Sequence, residues 1–245
     1  MANFVSTRTG QFTYFSLQLG DENWNGKDVL DFGGNIGNIL RDPNCKIDEN
    51  RYWCVEVLED AVEQGKQAYP RAHWVFYDRY CFSFNPRGIR NLPVPDLGKK
   101  FDYIVAFSVF TNTKLTEMLQ LVSQLEAMLS ENGKLAFTFI DPYYHAGQNG
   151  SNFQWRLDLE KERGNISIRE WKDLARRAQQ ANWFMLVNGG DLYIENENIQ
   201  PYDAESEKTC YVYHTADYMK ALFPQAVILP PVNNEMQHCC VISKS

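Results

Sequence analysis

One carboxylate and three glycines crowd into KDVLDFGGNIGNIL (27–40): Asp31, then Gly33, Gly34 and Gly37. Glycine accepts positive φ and lets a ligand approach the main chain closely. Asp31, at the end of a short apolar run, can accept from a hydroxyl or an ammonium. Ile36, Ile39 and Leu40 resume at helical spacing, and a helix there would aim its free N–H groups into the turn. The pattern predicts strand, tight turn and helix start, forming a site for a nucleoside-type ligand. An ordinary strand–helix turn is the plainer alternative. Two more acids follow at comparable places. Glu56 ends the apolar run RYWCVEV, where a carboxylate can grip ribose hydroxyls bidentately. Asp78 ends AHWVFYDRY and is placed to accept from an exocyclic amine.

Groups able to move a proton are few. His145 lies just past the fifth predicted strand and is the first candidate for a base or acceptor contact. Asp141 ends that strand, and His214 follows a later one. His238 sits in the apolar run MQHCCVI, and an exposed loop or a packed core is the competing reading for each histidine. Tyr143, Tyr144, Phe153, Trp155, Trp171, Trp183, Phe184 and Tyr193 cluster beyond residue 142. They read either as a small core or as the wall of an apolar, aromatic acceptor pocket. Histidines and acids show no metal-ligand spacing, so no metal is expected.

These residues need a scaffold, and the chain supplies an alternating one. Strands are expected at 27–32, 51–57, 72–80, 101–110 and 134–142, with helices at 58–70 and after Thr111. In the latter, Leu115, Met118, Leu119, Val122, Leu125 and Leu129 form one apolar stripe. FDYIVAFSVF is apolar throughout, as in a strand buried on both faces. This order predicts an α/β, Rossmann-like, seven-stranded, mostly parallel sheet with helices on both faces. Residues 1–26 would be an N-terminal cap or lid in which Tyr14 could face ligand, and 27–142 the binding core. Residues 143–208 would be a lid-like insertion after the fifth strand carrying a hairpin around 188–190, and 209–245 the closing helix and strands. The net charge of -7 argues against a nucleic-acid substrate. No apolar run is long enough for a signal peptide or membrane span, so a cytoplasmic protein is expected. Six cysteines without CxxC spacing read as free thiols.

The segment 27–142, with a looser echo in 210–243, resembles the class I S-adenosylmethionine-dependent methyltransferases, small-molecule branch. Their acid-then-glycine motif stands here as Asp31-Phe32-Gly33-Gly34-Asn35-Ile36-Gly37, with Asn35 at the middle glycine, a residue that tolerates left-handed φ. Glu56 matches the second acid, Asp78 the third-strand acid and AFSVFTN (106–112) the fourth-strand motif, with Asn112 where many members carry histidine. The resemblance implies that Asp31, Gly33, Gly34, Asn35 and Gly37 meet the methionine moiety and Glu56 the ribose. Asp78, flanked by Val57 and Tyr77, would meet adenine, and Phe107 and Ser108 would floor the sulfonium. Phe110, Asn112, Tyr14, Tyr143, Tyr144 and His238 would face the acceptor. A dinucleotide-dependent dehydrogenase fits less well because the glycine spacing differs.

The implied reaction moves a methyl group from S-adenosylmethionine to oxygen or nitrogen of a small apolar or aromatic molecule in natural-product biosynthesis, leaving S-adenosylhomocysteine. The protein would act as monomer or homodimer, without nucleic acid or membrane partners. A peptide or protein methyltransferase, and a nucleoside-binding protein without methyl transfer, are the alternatives.

Overall fold

The computed structural model describes residues 9–81, 83–145, 151–164, 167–178, 181–187, 191–194, 210–233 and 235–244. Seven strands form the main sheet: β1 (Val29–Phe32), β2 (Tyr52–Glu56), β3 (His73–Phe76), β4 (Phe101–Ala106), β5 (Leu129–Phe139), β9 (Val227–Leu229) and β10 (His238–Ser243). Their order is β3-β2-β1-β4-β5-β10-β9. β1 to β5 pair in parallel, and β10 runs antiparallel to both β5 and β9. This is the expected sheet, with its one reversed strand second from the edge.

Side chains alternate across the sheet and split the core in two. On one face Leu30, Phe32, Val55, Ile104, Phe137 and Phe139 pack against α3 (Leu115–Ala127) and α6 (Ala216–Leu222). On the other, Val29, Tyr52, Cys54, Val105 and Phe107 pack against α1 (Gln11–Leu19), with α2 (Glu59–Ala68) on the same flank. The N-terminal segment is therefore a helix seated on a sheet face, with Phe12, Tyr14 and Phe15 buried. In α3 the buried residues are Met118, Leu121, Val122 and Leu125, while Leu119 is exposed. The i, i+3, i+4, i+7 geometry selects Leu121 where the stripe predicted Leu119. Leu129 already belongs to β5.

Two further expectations need correction. No helix follows the glycine turn; 33–44 is a succession of tight turns closed by bonds such as Leu40 N–H to Gly37 O and Asp42 N–H to Ile39 O. Gly37 sits at φ 82, outside the right-handed helix, and Pro43 disfavours helical conformation at Asp42. The Asp42 carboxylate takes donors from Asn44 N (3.0 Å) and, across 29 residues, from Thr13 N (2.8 Å) in the first turn of α1. That side chain thus caps a distant helix instead of sitting within one.

The second correction concerns β8 (Cys210–His214), expected among the closing elements. It pairs with β6 (Trp183–Val187), which pairs with β7 (Asp191–Ile194), in a separate antiparallel sheet ordered β7-β6-β8. The hairpin of β6 and β7 is as expected; its turn, 188–190, lies outside the described residues. Phe153 and Leu157 of α4 (Asn152–Glu162), Leu174 of α5 (Ile168–Ala178), Phe184 and Tyr213 form a third core with Ile140. Several of the insertion's aromatics are thereby used in packing. His214 N–H donates to Ile140 O at 3.0 Å, tying the small sheet to the end of β5.

Candidate active site

The carboxyl ends of β1, β2, β3, β4 and β5 lie along one edge of the sheet, where open α/β folds bind ligands. Asp31, near the end of β1, has its side chain buried beside Tyr52 and Cys54, and Tyr52 Oη donates to its Oδ2 at 2.8 Å. Burial pushes the Asp31 carboxyl up to about 7, opposed by the Tyr52 hydroxyl and reinforced by the neighbouring Glu56 charge. Gly34 leaves the space this requires: a Cβ there would stand 2.5 Å from Asp31 Oδ2 and 2.9 Å from Cys54 Sγ. Asn35 has φ 55, the left-handed conformation its position in the glycine motif demands.

Glu56 is also buried, yet well supplied with donors. Its Oε1 accepts from Val57 N (2.7 Å) and Leu58 N (2.9 Å), and its Oε2 from Asn35 N (2.8 Å). Burial raises its pKa and these three N–H groups oppose the rise. A carboxylate offers about four acceptor directions, so one remains. The turn at Asn35 and the start of α2 use the other three. Beyond β3, half-buried Asp78 holds Asn85 Nδ2 through Oδ1 at 3.0 Å. Tyr77, expected at the same ligand, is buried against Phe32, with its hydroxyl on Leu92 O at 2.6 Å. Val57 packs partly into that same core.

Just past β4, Ser108 takes the left-handed conformation, φ 58, which costs a non-glycine residue about 1–3 kcal/mol. A closed ring of bonds holds it there. Ser108 N donates to Thr138 Oγ1 (2.8 Å), Thr138 Oγ1 to Gln237 Oε1 (2.6 Å), and Gln237 Nε2 to Ser108 Oγ (2.5 Å). Tyr14 Oη donates to Gln237 O at 2.9 Å, and Asn112 Nδ2 to Ser108 O at 3.1 Å. Gln237 and Thr138 were missed in the sequence: neither lies in a motif, and only the pairing of β10 with β5 brings them to Ser108. Tyr14, expected toward the ligand, is buried and joins this network. Phe107 is buried edge-on to Tyr14 (5.4 Å) and Phe15 (6.0 Å). Phe110, expected toward the acceptor, is fully buried edge-on to Phe137 at 4.9 Å and is core.

The proton-moving candidates separate widely. Both Asp141 oxygens are committed, Oδ1 to Tyr143 N (2.8 Å) and Oδ2 to Ala216 N (2.9 Å) at the start of α6. Asp141 thereby ties the turn after β5 to the start of α6. His214 is fully buried between the rings of Trp183 and Tyr218, and burial drives its pKa down to about 3. His145 is exposed on a loop. Tyr143 ties that loop to α5 through Ala178 O at 2.6 Å. Tyr144 stands edge-on to His238, which also lies beside Phe139. Among the described residues no cluster of His, Cys, Asp and Glu could hold a metal ion, and no helix is long and apolar enough to cross a membrane.

Residues 30–135 match the family model described as "Methyltransferase domain". No curated protein sequence matches the chain. Among solved structures, the chain is similar to an S-adenosylmethionine-dependent methyltransferase from Clostridium acetobutylicum ATCC 824, at 11% identity and TM-score 0.53, covering 95% of this chain and 89% of that one. It is similar to an amino pentose methyltransferase of calicheamicin biosynthesis from Micromonospora echinaspora, solved with S-adenosylmethionine, at 13% identity and TM-score 0.52 over 98% and 92% of the two chains. A third is magnesium protoporphyrin IX methyltransferase from Synechocystis PCC 6803 with S-adenosylhomocysteine, at 13% identity and TM-score 0.50 over 100% and 89%. Identities this low speak to the fold.

Proposed function

From the premise that this chain has the class I, Rossmann-like methyltransferase fold, with a methyltransferase domain over residues 30–135, we propose that it transfers a methyl group from S-adenosylmethionine to oxygen or nitrogen of a small molecule. The observation that carries the reading is the grouping of buried Asp31, the Gly34 gap and donor-filled Glu56 at adjoining strand ends. A cationic ammonium or sulfonium gives a buried carboxylate the opposite charge it lacks. Asp31 and the 33–37 turn would meet the methionine moiety. Glu56 would take one ribose hydroxyl, Asp78 the adenine amine through its remaining oxygen, and Ser108 would lie near the transferred methyl. Small-molecule methyltransferases among the similar structures support a small acceptor in biosynthesis.

When bound, S-adenosylmethionine supplies a methyl group already activated by sulfonium charge. The protein's part is alignment of the acceptor and exclusion of water. Ser108, fixed by Thr138 and Gln237, keeps a hydroxyl proton free to donate, and α1 closes the sheet face behind it. The test is thermal denaturation with S-adenosylmethionine, S-adenosylhomocysteine and a nicotinamide dinucleotide. The first two should raise the midpoint; a rise with the dinucleotide alone sinks the proposal.

A further inference from the structure

The small sheet meets the main body of the chain along β8. Alternation there sends Tyr211 and Tyr213 into the third core and His214 to the opposite face. On that face the His214 ring lies near-parallel to its cross-strand neighbour Trp183 (6.2 Å) and to Tyr218 of α6 (6.4 Å). It is therefore set between the small sheet and a helix of the main core. The residue is fully buried, and neither ring nitrogen has a hydrogen-bond partner among the described residues. A neutral imidazole carries one N–H and one bare nitrogen, so a donor and an acceptor are both enclosed here, which packing alone does not explain. The bonds that hold the junction start at the same place. His214 N donates to Ile140 O (3.0 Å), Thr215 N to Asn182 O (2.9 Å) and Ala216 N to Asp141 Oδ2 (2.9 Å). β8 also packs against Phe110–Asn112, the turn that follows Ser108.

We propose that His214 is an acid-operated latch: neutral, it lets the small sheet lie on α6, and protonated, it drives that sheet off α6 and the end of β5 while the main sheet keeps its fold. The latch would act whether or not the chain transfers a methyl group. The groups around the ring do little to offset an imidazolium. β6 brings Trp183, which does not titrate, and α6 brings the Tyr218 phenol, with Asp217 exposed. The turn after β5 brings Asp141, whose two oxygens accept from Tyr143 N and Ala216 N. Phe110–Asn112 brings no titratable group, and the Arg156–Glu160 pair of α4 lies on the other face of β8, beside Tyr211. Burial is the one influence on the ring, and it lowers the pKa from 6.5 to about 3. The open form therefore binds the proton more tightly than the closed form does. The advantage of closure is fully present above pH 6.5 and is lost as pH falls toward about 3. Among the described residues the third core takes Ile140 alone from the first 142, so the small sheet can part from the main sheet without breaking the main core.

The test is hydrogen exchange of the full chain, read on peptides of β6, β8, β1 and β4 and corrected for the intrinsic effect of pH on exchange. With the exposed ring at 6.5 and the closed one at about 3, the opening constant of β6 and β8 should rise about 30-fold from about pH 7.5 to about pH 5. β1 and β4 should change by less than about threefold. His214→Gln and His214→Phe place an uncharged side chain there, and in each the pH dependence of β6 and β8 should shrink to within about threefold. A wild-type rise below about threefold overturns the latch, as does an undiminished rise in either variant or a parallel loss of protection in β1 and β4. Where both variants fail to fold, the wild-type ring decides. Its 13C and 15N shifts at about pH 6 should be those of neutral imidazole, and imidazolium shifts there overturn the latch.

Discussion

Replacing Asp31 by asparagine should make the protein less sensitive to alkali. Asp31 is buried, and its carboxyl is pushed up from 3.8 to about 7 chiefly by burial. The native state therefore binds this proton more tightly than the unfolded chain does. Stability from that proton is fully present below pH 3.8, the unfolded value, and is lost as pH rises through about 7. About three pKa units at about 1.4 kcal/mol each give about 4 kcal/mol as the ceiling of the loss. The asparagine amide cannot ionise and carries none of it. That amide costs something of its own, since its N–H2 group must find acceptors beside Cys54, but the cost does not vary with pH. Urea unfolding of both proteins at each unit from about pH 4 to about pH 8 gives the difference in stability, variant minus wild type, in which the titrating groups not coupled to Asp31 cancel. That difference should climb by about 2–4 kcal/mol between those limits. A difference curve flat to about 0.5 kcal/mol would refute the account of Asp31 as a carboxylate held above its ordinary range.

Tyr52→Phe removes the hydrogen bond that Asp31 accepts through Oδ2. It should cost about 2–3 kcal/mol near pH 8, where the bond is charge-assisted, and about 1 kcal/mol near pH 4, read by the same unfolding series. Gly34→Ala drives a Cβ to within 2.5 Å of Asp31 Oδ2; a loss of about 1–3 kcal/mol and abolished S-adenosylhomocysteine binding by calorimetry are expected. Gln237→Leu leaves the buried Thr138 hydroxyl without its acceptor and Ser108 without its tether. It should lose about 1–3 kcal/mol and lower kcat more than it raises KM, in a steady-state comparison with wild type.

What the sequence disclosed and what it hid follow from the range of the forces involved. The left-handed Asn35 was legible because only a few residue types tolerate that conformation. β4 was legible because burial on both faces demands an unbroken apolar run. The late helix and two strands were legible as closing elements, and α6, β9 and β10 do close the sheet. The missing helix after the glycine turn was not: Ile36, Ile39 and Leu40 keep helical spacing, yet Gly37 at φ 82 and the Asp42–Pro43 step divert the chain, and Asp42 finds stronger partners in Thr13 and Asn44. Periodicity reports which residues seek a core, and Ile39 does reach one, but through turns. The ring of Ser108, Thr138 and Gln237 was equally hidden, because its members are far apart in the chain and none is unusual alone. β8 was misplaced since an isolated strand pattern carries no record of its partner, and here the partner is β6.

Burial raises both carboxylates at the strand ends, but their donors differ, and the contrast bears on how the site would respond to a ligand. Glu56 has three backbone N–H donors, fixed by the turn at Asn35 and the start of α2, which favour its ionised form before anything binds. Asp31 has a side-chain donor in Tyr52 and a neighbouring negative charge in Glu56, so near neutral pH it stands on the edge of ionisation. A neutral ligand arriving at this pocket would leave that balance as it is. A cation would shift it, drawing off the Asp31 proton and leaving Glu56 unchanged. Binding of S-adenosylmethionine at about pH 6.5 should therefore release a fraction of a proton, and the release should vanish in Asp31→Asn. Calorimetry in two buffers of different ionisation enthalpy measures it directly. Equal binding heats in both buffers, with S-adenosylmethionine bound, would mean that the ligand's positive charge lies elsewhere in the cleft.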